Sequence, residues 1–276
     1  MKTNISANEI TFLKRRLLIN SIGIYITSFI TVKLSIIAYK LVVALVFQIT
    51  PGLQGFRLFG ENPPDSPVWD RMSVLLYFSA DIIVPAILLF ATFLLWLRFR
   101  IKKTKVVAGI LWLGFSSIQI LLGGIAAGII AKTNQYFFFS WLNIEHFRMI
   151  IIALTMMPAL MVTGMFYNTS FLITKPANGF GETTADNRIV LKYSLLYPVI
   201  AGTLILSLAT SLTFGRYEAV ELACGVLLAL PVLFFIKIEN PPKNSTGYAG
   251  RIYMIPLISA GIGITAFLIA NLLLRK

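Results

Sequence analysis

Apolar residues run through this chain in long unbroken stretches separated by short polar clusters. The stretches occupy roughly 17–47, 73–97, 106–131, 148–174, 190–214, 218–238 and 252–274, each near or above the ~20 residues that cross a hydrocarbon core. They do not alternate with period two, so they are not barrel strands, and lipid then leaves only the helix, which satisfies its backbone internally. The pattern predicts an all-α, polytopic transmembrane helix bundle of about seven spans. A single membrane domain fills 1–276, because no connection is long enough to hold a soluble domain. The longest connection, 48–72, carries three Gly and four Pro between Gln48 and Arg71, which deny it a regular element; Phe56, Leu58, Phe59 and Trp69 suit it to lie on the membrane surface or cap the bundle. Only Gly215–Tyr217 separates the fifth and sixth runs, which predicts a tight antiparallel hairpin.

Composition agrees with lipid as the solvent: 57% hydrophobic residues, 13% charged residues and a mean hydropathy of +0.82 are outside the range of soluble domains. The net charge of +13 follows the loops. With the N-terminus inside, the inner segments hold 15 of the 24 lysines and arginines and the outer ones 7, leaving Lys33 and Lys40. That asymmetry orients the N-terminus to the cytoplasm and the C-terminus outside, in a multi-pass protein of a cytoplasmic or bacterial inner membrane. The loop Arg98–Lys105, with five positive side chains and no negative one, suits anionic headgroups. No folded reading surface accompanies it, so membrane lipids, not nucleic acid, are the expected partner. The run after Lys14-Arg15-Arg16 is too long for a signal peptide and lacks a cleavage site, so the first segment is expected to stay as an anchor.

One cysteine, Cys224, and one histidine, His146, exclude an internal disulfide, bis-histidine haem and an HExxH zinc site. No cofactor and no metal are expected. Gly124 and Gly128 form a GxxxG pair in the third run, a helix-packing face for this bundle, for a second copy or for another membrane protein. Prolines at 85, 158, 198, 231 and 256 lie inside five runs, each removing a backbone donor, and predict kinks.

Candidate chemistry lies with charges inside the apolar runs. Lys33 and Lys40 are seven residues apart and share one helical face. Lys40 and Asp81, counted from the outer ends of the first two runs, both fall about 10–12 Å below that boundary, so consecutive antiparallel helices can pair them. Each unpaired charge costs about 2.5–3.5 kcal/mol on insertion. Pro85 leaves the Asp81 carbonyl without its helical donor. Tyr197, near the depth of Lys33, completes the intramembrane polar set of Lys33, Lys40, Asp81 and Tyr197. The rival is that the first span ends near Ile37 and both lysines snorkel, which leaves Leu41–Phe47 as an apolar rod in water. Glu218 and Glu221 open the sixth run, where snorkelling at the outer surface accounts for both.

Three functions follow, in this order. Transport or permeation of a small solute rests on the lysine stripe and Asp81; two cations against one acid favour an anion. A non-catalytic scaffold or subunit of a larger membrane complex rests on the glycine face. An intramembrane enzyme acting on a lipid-soluble substrate has no recognisable catalytic motif behind it, and no catalytic residue is assigned.

Overall fold

A computed structural model describes residues 7–48, 70–99, 104–172, 184–209 and 215–234. Every regular element among them is helical. Helix α1 (Ala7–Val46) is followed by α2 (Arg71–Phe99) and by α3 (Thr104–Ile118), which passes through a π-helical turn at Gln119–Gly123 into α4 (Gly124–Ala131). A short α5 (Gln135–Trp141) precedes α6 (His146–Phe171). Next, α7 (Thr184–Leu191) runs through a second π turn, Lys192–Leu196, into α8 (Tyr197–Ala209), and α9 (Arg216–Ala229) and α10 (Pro231–Phe234) close the described chain.

Five helical stretches are long and apolar enough to cross a membrane: Ile10–Val46, Arg71–Phe99, Val106–Ala131, His146–Tyr167 and Asn187–Ala209. The protein is an integral membrane protein by that measure, but the expected count of seven is not reached among the described residues. The sixth expected run is a 14-residue helix, α9, with α10 after it, and it carries two buried acids, Glu218 and Glu221. The seventh run, 252–274, with Pro256, lies outside the described residues, as does nearly all of the 48–72 connection.

Burial is inverted relative to a water-soluble protein. Large apolar side chains point outward along α2 (Ile87, Phe90), α6 (Phe147, Leu154, Val162) and α8 (Leu204, Leu208), while Lys33, Lys40, Asp81, Gln119, Gln135, Glu218 and Glu221 are buried. Lipid accepts the first set and the bundle interior the second. At 40 residues and ~1.5 Å rise, α1 is ~60 Å long, about twice a hydrocarbon core. Its C-terminal end shows Leu41, Val42, Leu45 and Val46 on the surface.

The helix α1 packs against α2, α3 and α8, and α9 packs against α4, α6, α8 and the first π turn. Tyr25, Trp112, Phe115, Tyr167 and Phe171 form a chain of tilted and edge-on rings, 5.0–6.1 Å between neighbouring centroids, in the main apolar core. Gly202 lies directly against the Tyr25 ring, and Gly164 against the Leu228 carbonyl; small residues let these backbones approach. The helices continue through Pro85 and Pro158. Pro198 follows the second π turn, a wide turn placed where a proline ring crowds the carbonyl four residues back. At Pro231 α9 gives way to α10.

A buried charge cluster as candidate functional site

Seven residues along a helix return to nearly the same face, so Lys33 and Lys40 sit on one stripe of α1 about 10 Å apart. Each meets a helix that carries a tyrosine and an acid four residues apart, one above the other on one face. On α2 these are Tyr77 and Asp81. Lys40 Nζ lies 2.8 Å from Asp81 Oδ2, with the Tyr77 and Phe78 ring centroids at 5.1 and 5.8 Å. On α9 they are Tyr217 and Glu221. Lys33 Nζ donates to Glu221 Oε1 at 2.6 Å, with the Tyr217 and Phe29 centroids at 5.6 and 5.7 Å. Both ammonium groups therefore combine a carboxylate with aromatic faces, whose quadrupole attracts a desolvated cation. Neither lysine snorkels: they are 4% and 2% exposed.

Glu221 is not at an interface either. It is fully buried, a correction to the surface position expected for it. Lys33 is thirteen residues, about 20 Å, from Val46, whereas Glu221 is five residues, about 8 Å, from the start of α9. For parallel axes α9 thus begins about 12 Å deeper than α1 ends, and a residue in its second turn is already at the level of Lys33. Glu218 is buried as well; its Oε2 accepts the Gly215 N–H at 2.7 Å and caps α9.

The first π turn adds a polar side chain. Gln119, fully buried, accepts the Tyr25 hydroxyl at 3.0 Å on Oε1 and donates from Nε2 to the Glu221 backbone carbonyl at 3.4 Å. The wide turn carries Gln119 to α9, where Gly225 gives it room: a Cβ there would fall 2.5–2.8 Å from the Gln119 amide. Single π turns in long helices recur at functional sites.

The glycine pair of α4 faces inward, into this bundle. Gly124 and Gly128 are buried, and the Gln135 side chain lies along them. Lys132 and Asn134 adopt positive φ (56° and 45°) in the turn that brings Gln135 back over α4. A Cβ on Gly128 would meet Gln135 Oε1 directly and the Thr133 carbonyl at 2.9 Å; the Cβ position of Gly124 is 3.1 Å from Gln135 Nε2, 3.5 Å from the Tyr217 hydroxyl and 3.8 Å from Glu221 Oε1.

Of the four residues assigned to the intramembrane polar set, Lys33, Lys40 and Asp81 lie in this cluster. Tyr197 is 38% exposed, with its ring edge-on to Tyr193 at 5.1 Å. Glu221, expected at the surface, belongs to the cluster, as do Tyr217, Gln119 and Gln135, to which sequence reasoning gave no polar role. The signal for two of them was the repeated Tyr-x-x-x-acid spacing, Tyr77–Asp81 and Tyr217–Glu221. A separate cavity of about 40 Å³, with Thr92, Trp96, Gly114, Phe166 and Tyr167 among its lining, lies between α2, α3 and α6 and touches none of the charged residues. Among the described residues no group of three acids, histidines or cysteines could hold a metal ion.

Comparison with protein-family models, with curated proteins and with solved structures finds no match.

Proposed function

We propose that this integral membrane protein is a transporter or permease for a small polar solute, with Lys33–Glu221 and Lys40–Asp81 on the solute route. The observation that carries the reading is the pair of lysine–acid contacts stacked along one stripe of α1 inside the bundle. Apolar residues of similar volume hold a bundle together as well as or better than buried ion pairs do. Charges in the interior of a membrane protein are costly, and they mark ion and solute pathways. Glu221, joined to the Gln119 π turn, and Asp81, four residues before Pro85, both sit where helical hydrogen bonding is altered, a feature of substrate sites in secondary transporters.

The buried charges do not favour an anion. The expected excess of two cations over one acid becomes two lysines against Asp81, Glu218 and Glu221 among the described buried residues, so the solute is cationic or neutral and polar. The loop charges support an N-terminus on the cytoplasmic side.

The test is uptake by vesicles containing the full chain, screened with small organic cations, neutral sugars and amino acids, and organic anions. Saturable accumulation of a cationic or neutral class above protein-free vesicles is expected, abolished by Lys40→Ala in protein that still folds. No accumulation of any class by folded protein would leave the scaffold as the function. Unchanged uptake in Lys40→Ala would take the cluster out of the route.

A further inference from the structure

We infer that the cluster binds one small monovalent positive charge, a proton or an alkali cation, between the free oxygen of Glu221 and the side chains of Gln135 and Tyr217. Five charged side chains are buried among the described residues: Lys33, Lys40, Asp81, Glu218 and Glu221. Their sum is one negative charge. Lys33 takes Glu221 Oε1 and Lys40 takes Asp81, while Glu218 is spent on the Gly215 N–H at the start of α9. A net charge in a low-dielectric interior is expensive, and one added positive charge removes it.

An independent observation places the occupant. Gln135 is fully buried, yet among the described residues its amide and Glu221 Oε2 have no partner in good hydrogen-bonding geometry, and the Tyr217 hydroxyl lies against the Asn134 and Gln135 side chains without a well-aligned hydrogen bond to either. One glycine brings these groups together: the position a Gly124 methyl would fill lies 3.1 Å from Gln135 Nε2, 3.5 Å from the Tyr217 hydroxyl and 3.8 Å from Glu221 Oε1, the Lys33-paired oxygen of the carboxylate whose other oxygen is Oε2. Buried polar atoms almost always have a partner, so several unsatisfied ones side by side indicate an occupant that supplies it. The available oxygens, from a carboxylate, an amide and a phenol, are hard ligands suited to an alkali ion. They also suit a proton carried on Glu221 Oε2 and donated to the amide or phenol oxygen.

The titratable and charged groups facing Glu221 are Lys33 and Tyr25 from α1, Asp81 from α2, and Glu218, Tyr217 and Cys224 from α9 itself. Gln119, from the π turn, is polar but does not titrate. This site deepens the transport reading, naming the ion that would accompany the solute, and it rests on that reading for its purpose. Its occupancy is measured without flux.

The experiment uses the full chain in lipid nanodiscs. Thermal stability is followed in sodium, potassium and choline chloride at one ionic strength, and the infrared carboxyl C=O band is followed against pH in choline chloride. If the occupant is an alkali ion, sodium or potassium stabilises saturably over choline, and Tyr217→Phe, which keeps the ring, raises the half-saturating concentration about tenfold. If it is a proton, a protonated-carboxyl band is present at neutral pH in choline, disappears in Glu221→Gln and shifts in Tyr217→Phe and Gln135→Leu. Should Glu221→Gln fail to fold, the Tyr217→Phe shift alone decides. No saturable stabilisation by either cation together with no such band overturns the proposal. Occupancy without solute uptake would overturn the transport reading only, and uptake without occupancy would overturn this site only.

Discussion

The two ion pairs are built to one plan and differ in how they are enclosed. Lys40 meets Asp81 beside Tyr77, and Lys33 meets Glu221 beside Tyr217. Around Lys40 the neighbours are the rings of Tyr77 and Phe78, and the end of α1 just beyond it shows Leu41, Val42, Leu45 and Val46 on the surface. Around Glu221 the neighbours are Gln119, Gln135, Tyr217 and a second acid, Glu218. The Lys40 pair is thus an ion pair in an aromatic seat near the C-terminal end of α1. The Lys33 pair is one element of a polar network in which Glu221 Oε2 and the Gln135 amide have no well-formed hydrogen bond among the described residues. Two sets of lysine, tyrosine and acid thus sit in different surroundings according to their position along α1.

That comparison is broken most severely by removing one acid. Loss of one partner of a buried pair leaves an uncompensated charge and costs about 3–5 kcal/mol. Glu221→Ala is expected to reach that range, because Lys33 has about 20 Å of α1 between it and the helix's C-terminal end. Asp81→Ala is expected to cost less, since Lys40 lies one turn and a half from the exposed end of α1 and can snorkel. Unfolding in mixed micelles measures both; Asp81→Ala costing more than Glu221→Ala would undo the distinction. The double change Lys33→Met with Glu221→Leu is expected to recover most of the single-variant loss, as apolar replacements of buried pairs do. A double variant as unstable as Glu221→Ala would mean that Glu221 acts mainly through its other neighbours.

A second comparison concerns glycines. Gly128→Ala drives a methyl group into the Gln135 amide and the Thr133 carbonyl, and overpacking of this kind costs about 1–3 kcal/mol. Gly109→Ala meets nothing within 4 Å and lies inside α3; there the alanine is expected to stabilise by about 0.5–1 kcal/mol through backbone entropy and helix propensity. Equal effects at both positions would show that the α4 groove does not seat Gln135 as described.

These contrasts also show what can be read from the chain alone. The Lys40–Asp81 geometry follows from counting along two consecutive helices from a shared boundary, so depth and adjacency are both in the sequence. Lys33–Glu221 does not follow, because 188 residues separate the partners and nothing local says that α9 begins deep in the bundle beside α1. Gly124 and Gly128 were legible as a groove but not as to its occupant: Gln135 reaches them only through a turn with Lys132 and Asn134 at positive φ, which no apolar pattern encodes. Gln119 stood out in no count, since one amide in an apolar run acquires meaning only when the π turn carries it to α9.

The smallest effect is expected where the two acid-bearing helices begin. Both starts are capped by an acid, in opposite surroundings: buried Glu218 accepts the Gly215 N–H of α9, while exposed Asp70 precedes α2 and its Oδ1 accepts the Ser73 N–H at 2.7 Å. Hydrogen bonds from the Ser73 side chain and backbone hold the Asp70 carboxyl below the ordinary carboxylate range, because they favour the charged form. A carboxyl lowered in the folded state stabilises fully above its unfolded pKa, and that contribution is lost as pH falls through the lowered folded value. The first turn of α2, read from the Ser73 and Val74 amide resonances, is therefore expected to stay formed at neutral pH and to loosen only below the usual carboxylate range. Asp70→Asn keeps an acceptor at the cap and removes this pH dependence; Asp70→Ala frays the turn at every pH. Neither change reaches Asp81, three turns further along the helix, so the Lys40 pair and any uptake should be unaltered; altered uptake in Asp70→Asn would mean that the start of α2 and its ion pair are coupled.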